Sequence, residues 1–142
     1  MLCSHHTTVG CTASNQAATA IWGRLAALPR ALTPEGLLAL GDDALREAGL
    51  SRPKLKHARA LAEAFAQGEL SAAILAGLPD QAAVEAIAAI PGFGPWTAEV
   101  HLLFGHDRQD IFPAGDLALA ASLAALRGLP GRPSPKELAV LA

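Results

Sequence analysis

Apolar positions recur at three- and four-residue intervals along most of this chain, and runs of β-branched residues that would mark strands are absent. The pattern predicts an all-α fold. A first helix is expected from Ala13 to Leu28, where Pro29 stops it. Thr33 then caps a second, with Pro34 in its first turn and Glu35 placed well for the helix dipole, and Gly41 closes it. A short segment from Asp42 to Ala48 ends at Gly49. From Ser51 to Gln67, Leu55, Ala58, Leu61, Ala62 and Phe65 share one face at helical spacing, and Gly68 ends the run.

Asp80 opens a further helix that reaches Ile90, where Pro91 and Gly92 interrupt the hydrogen-bond ladder. Pro95 restarts a helix in the position where proline is best tolerated, and Gly105 terminates it after Phe104. Another spans Asp116 to Leu126 between Pro113 and Gly128. Ser134, Pro135 and Glu137 then form a capping box ahead of a last helix that runs to Ala142. Trp22, Phe65 and Phe104 lie among Ala and Leu on these helices and are expected in the core.

Composition narrows the class. With 142 residues, 51% of them hydrophobic and 17% charged, the chain can bury one core and is too apolar for a disordered polymer. A formal net charge of -2 supplies no global field toward nucleic acid or anionic lipid, so any polyanion contact must be local. The two cysteines, Cys3 and Cys11, make no disulfide framework. Together with His5 and His6 they lack the second ligand pair of a zinc site, and residues 1–12 read as an irregular start to a helical domain over residues 13–142. No apolar run approaches the ~18 residues of a membrane span, and no secretory leader opens the chain. A soluble, cytoplasmic protein is expected.

The residues Pro91-Gly92-Phe93-Gly94-Pro95-Trp96-Thr97-Ala98 concentrate two glycines, two prolines and a tryptophan between two apolar helices. A Gly-x-Gly turn lets backbone approach a ligand closely, and the following helix start adds unpaired amides with partial positive charge. Such a turn can hold a DNA phosphate without many basic side chains. Phe93 would point back and pin the two helices together. The plainer alternative is a tight connector. The one dense basic stretch, Arg52, Lys54, Lys56, His57 and Arg59, reads equally as phosphate contacts or as a solvated helix face. His101 and His106 have no partner identifiable from sequence, and no catalytic role is assigned to them.

The run from Ile90 to Ala98 resembles the hairpin of the helix-hairpin-helix (HhH-GPD) DNA glycosylase superfamily, whose usual form is Leu-Pro-Gly-Ile-Gly followed two residues later by Thr-Ala. Asp110-Ile111-Phe112-Pro113-Ala114-Gly115-Asp116 resembles the segment that delivers the superfamily's catalytic aspartate. Ala20-Ile21-Trp22-Gly23-Arg24-Leu25 and Gly49-Leu50-Ser51-Arg52-Pro53-Lys54 are similar to the DNA-3-methyladenine glycosylase II branch. The likeness runs from about Val9 onward, with the hairpin at residues 91–97.

The resemblance implies a helical glycosylase domain that releases alkylated purines such as 3-methyladenine from duplex DNA. It makes Asp116 the catalytic carboxylate and places Trp96 in the base pocket. Gly92, Phe93, Gly94 and Thr97, with Arg52 and Lys54, are the implied DNA contacts. Trp96 stands where backbone-cleaving relatives carry a nucleophilic lysine, which implies hydrolysis alone. No organic cofactor is implied, though a sodium or potassium ion could bridge the carbonyls of Gly92 and Gly94 to phosphate. The chain departs from the branch in having Cys11-Thr12 where Gln-Gln commonly stands, and it is expected to be shortened at both ends. A non-catalytic DNA-binding module, or an inactive shortened member, is the alternative reading.

Overall fold

Why a chain so rich in alanine adopts a defined fold is answered mainly at its helix ends. The computed structural model describes residues 15–141, and expectations for the cysteines, for Cys11-Thr12 and for a helix start at Ala13 lie outside that range. Nine helices and no strand occur among the described residues. They are α1 (Asn15–Ala26), α2 (Pro34–Ala39), α3 (Asp42–Glu47), α4 (Arg52–Ala66), α5 (Ala72–Gly77), α6 (Asp80–Ala88), α7 (Pro95–Gly105), α8 (Leu117–Arg127) and α9 (Pro135–Leu141). None is long and apolar enough to cross a membrane.

The expected caps form. Thr33 accepts the Gly36 amide at 3.1 Å, fixing the start of α2. Glu137 Oε2 accepts both the amide of Ser134 at 2.8 Å and its hydroxyl at 2.7 Å, completing the capping box of α9. The helix α5 was not expected from sequence. No element was assigned between Gly68 and Asp80, yet Ser71 caps the Ile74 amide at 3.1 Å and Leu75 is driven fully inside. Tertiary burial of Leu75 stabilises a helix too short to stand alone.

Two apolar clusters form the interior. One joins Ala64, Leu70, Leu75, Ala83, Ile87, Ala98 and Leu102 from α4 to α7, with Phe65 and Phe93 packed against it. The other joins Leu25, Leu45, Ala48, Leu50 and Leu55 from α1, α3 and the start of α4, with Trp22 against it. The longest helix, α4, therefore contributes to both cores. Between them lies a cavity of about 420 Å³, lined among others by Trp22, Leu61, Phe65, Phe93 and Thr97. Phe104 corrects the expectation that it is core: it is 67% exposed, because Ala98 and Leu102 define the inward face of α7 and Phe104 falls on the opposite side.

Two arginines tie the elements together. Arg108 donates from Nη1 to Asp80 Oδ1 at 2.7 Å and from Nη2 to the carbonyl of Leu75, holding the connector after α7 to α5 and α6. Arg59 donates to the carbonyls of Leu38 at 3.2 Å and Leu40 at 2.8 Å, and to Asp42 Oδ1 at 2.6 Å. Its planar fork thus satisfies carbonyls that the end of α2 leaves unpaired, and so Arg59 is an internal tie rather than a solvated member of the basic stretch. Arg59→Ala should lower the unfolding free energy by about 1–3 kcal/mol, the range for hydrogen bonds to a charged group, in urea denaturation. Arg59→Lys should recover little of it, since an ammonium lacks the fork.

Candidate active site and hairpin

The hairpin between α6 and α7 is built by what its residues cannot do. Pro91 has no amide to extend α6, and the Phe93 amide closes the turn by donating to the Ile90 carbonyl at 3.0 Å. Gly92 takes φ +90, a backbone state that L side chains rarely adopt. A Cβ there would also lie 2.0 Å from the ring of His57 on α4, so the close approach of α4 to the turn excludes any side chain. That contact was invisible in the sequence, where His57 was one of several basic residues.

Gly94 caps α7 with extended backbone and no side-chain cap bond, while Pro95 occupies the first helical position. The amides of the next residues, Trp96 and Thr97, are left without partners inside the helix. Gly92 and Gly94 are exposed, so backbone donors at this turn can meet an anion. Phe93 and Thr97, both half-buried, also line the cavity between the two clusters, and the Phe93 amide is already given to the Ile90 carbonyl. Arg52 is exposed on the first turn of α4, the helix whose His57 abuts the turn, and Lys54 is half-buried two residues on. Of the two carbonyls considered for a cation, that of Gly94 already accepts the Ala98 amide at 3.1 Å and keeps its second lone pair. Neutral carbonyl oxygens fit a monovalent ion. Among the described residues no cluster of His, Cys, Asp or Glu could hold a metal.

Asp116 is delivered by a segment anchored through buried Ile111 and Pro113, with its own amide donating to the Pro113 carbonyl at 2.9 Å. It is the N-cap of α8 rather than its first residue. Its Oδ1 accepts the amides of Ala118 at 2.9 Å and Leu119 at 2.8 Å, and its Oδ2 accepts the indole N–H of Trp96 at 3.0 Å. Gly115 lies in van der Waals contact with Trp96, its missing Cβ only 3.6 Å from the Trp96 Cβ. The two residues selected for chemistry are thus brought together by α7 and α8, although the sequence assigned Trp96 to a base and gave no sign of its bond to Asp116.

The Leu119 amide, the Trp96 indole and the Ala118 amide hold the Asp116 carboxyl below the usual carboxylate range, outweighing the opposing effect of partial burial. On α7, burial pushes the Glu99 carboxyl up. His101 and His106 meet edge to face at 5.3 Å between ring centroids. An ionised carboxylate held at the edge of an indole can stabilise a positive charge that develops beside it.

Two outcomes check this geometry. Gly92→Ala should cost about 1–3 kcal/mol or more in stability, from the positive φ and the His57 ring together; adding His57→Ala should relieve the steric part and leave the backbone part, measured by thermal melts. The second concerns pH. Because folding depresses the Asp116 pKa, the stability it contributes is complete above about pH 5 and is lost as pH falls through the folded value, below the ordinary carboxylate range. Asp116→Asn keeps a good cap but has no such titration, so the stability gap between wild type and variant should narrow between about pH 5 and 3 in denaturant midpoints.

Residues 12–141 match the family described as HhH-GPD superfamily base excision DNA repair protein. DNA-3-methyladenine glycosylase 1 of Schizosaccharomyces pombe is 30% identical over 124 residues, covering 84% of this chain and 54% of that protein. The crystal structure of a DNA-3-methyladenine glycosidase from Bacillus halodurans superposes with a TM-score of 0.83 and 34% identity, over 96% of this chain and 63% of that one. The S. pombe 3-methyladenine DNA glycosylase in complex with abasic DNA gives 0.82 and 27%, over 92% and 66%. The chain therefore spans between half and two thirds of the length of these relatives.

Proposed function

Because this chain belongs to the HhH-GPD superfamily of base excision DNA repair proteins, we propose that it is a monofunctional glycosylase that hydrolyses the N-glycosidic bond of alkylated purines in duplex DNA. The observation that carries the reading is the Asp116 carboxylate, ionised at the start of α8 and bonded to the Trp96 indole at the start of α7. The names of the similar proteins, and the abasic DNA bound to one of them, support the substrate class.

In this reading the amides of Trp96 and Thr97 at the start of α7 grip a phosphate, and Arg52 and Lys54 add charge near it. The damaged base is extruded and its ring meets the face of Trp96, where a formal positive charge on an alkylated purine is favoured by the π-system. The C1′–N bond breaks with its electron pair leaving on the purine, which departs neutral. Asp116 stabilises the oxocarbenium-like sugar that remains. Water adds to C1′ and releases a proton, giving an abasic site and a free base. Position 96 offers no amine, so no Schiff base forms there and the backbone stays intact.

The capping bonds of Asp116 favour one competing reading, in which the carboxylate only closes α8 and the hairpin merely binds DNA. Asparagine caps a helix about as well as aspartate but carries no charge, so Asp116→Asn separates the two. The purified protein should release methylated purines from alkylated duplex DNA, and the variant should lose at least about a hundredfold in rate while binding DNA as well or better. No release from a protein that unfolds cooperatively and binds DNA would establish the binding module instead.

A further inference from the structure

We propose that Trp96 is the positioning residue for Asp116, holding the second carboxylate oxygen through its indole edge while leaving its face to the base. The inference rests on the glycosylase reading, and deepens it by giving one side chain two jobs that require different parts of the ring.

Asp116 receives three hydrogen bonds, and the backbone supplies only two of them, both to Oδ1, from the amides of Ala118 and Leu119. Those two would orient the carboxyl as an ordinary helix cap. They leave Oδ2 free to pivot about the pinned oxygen. The third donor, Trp96 Nε1, comes from α7, twenty residues away in sequence, and fixes Oδ2 at 3.0 Å. A carboxylate held at both oxygens from two helices has one orientation, and the lone pairs that remain on it point in set directions. This is what a group that must face a developing charge requires.

The indole suits this role because its N–H lies in the ring plane. An in-plane bond to Asp116 consumes the edge and leaves the π-faces, so Trp96 can attract a cationic base through a face without releasing the carboxylate. It also excludes another use: with its single donor given to Asp116, Trp96 cannot hydrogen-bond to a base.

Trp96→Phe tests the proposal, since phenylalanine keeps the aromatic face and the packing against Gly115 but has no donor. Only Trp22 and Trp96 are present, so the Trp96 indole resonance is identified in a nitrogen-proton spectrum by its loss in this variant. In the wild type it should shift as Asp116 titrates, with a midpoint below the ordinary carboxylate range, and should not follow that titration in Asp116→Asn. The carboxyl-carbon signal of Asp116, separated by the same Asp116→Asn spectrum from Glu99 of α7 and Asp110 of the connector, should titrate at higher pH in Trp96→Phe. For base release from alkylated DNA, kcat should fall roughly tenfold, with KM little changed and the acid limb moved to higher pH. An indole signal indifferent to Asp116, or an Asp116 titration unmoved by Trp96→Phe, overturns the proposal. So does a variant that keeps kcat and its acid limb and loses only KM, which would make Trp96 a stacking platform alone. The spectroscopic arm needs no turnover: if the wild type releases no base, the glycosylase reading fails while the Trp96–Asp116 coupling is still decided.

Discussion

An α-helix leaves its first amides without partners inside the helix, and the helix starts of this chain answer that demand in different ways. At α2, α5 and α9, side chains of Thr33, Ser71 and the Ser134–Glu137 pair close the end. At α8 the answer is a carboxylate, Asp116, so the same bonds that finish the helix also favour its ionised form. At α7, as at α3, α4 and α6, no side chain accepts a first-turn amide, and here Gly94 holds the cap position. The open amides sit at the exposed turn, and the family to which the chain belongs works on DNA.

The helix α7 connects these facts. Its inward residues Ala98 and Leu102 are fully buried in the larger cluster, which fixes the helix axis. With the axis fixed, its start presents unpaired amides on one side and the Trp96 indole toward Asp116 on another. Arg108 then ties the following connector back to α5 and α6, so the segment leading to Asp116 departs from an anchored point. Site geometry is here a consequence of core packing at Leu102 and of one arginine fork.

Small side chains shape the rest. Alanine at positions 62, 64, 83 and 98 allows close helix packing, but little bulk remains to fill the space between the two clusters, and a cavity persists there. The close approach of α4 to the hairpin has the same origin: a turn with no side chain at Gly92 can rest directly on the His57 ring.

The sequence by itself determined the helical class, most helix boundaries, the break at Pro91–Gly92 and the caps at Thr33 and Ser134, because these depend on backbone chemistry within a few residues. It also marked Trp96 and Asp116 through the spacing of two segments that resemble a known family. Three-dimensional packing decided what depends on distant partners. Leu75 made a helix of residues to which no element had been assigned, Arg59 became a tie to α2 instead of a phosphate contact or a surface charge, Phe104 turned outward, and Trp96 pointed its N–H at a carboxylate twenty residues away. Local rules fix where a helix starts and stops, whereas the rotation of each helix about its axis is set by burial, and that rotation chooses which side chains meet.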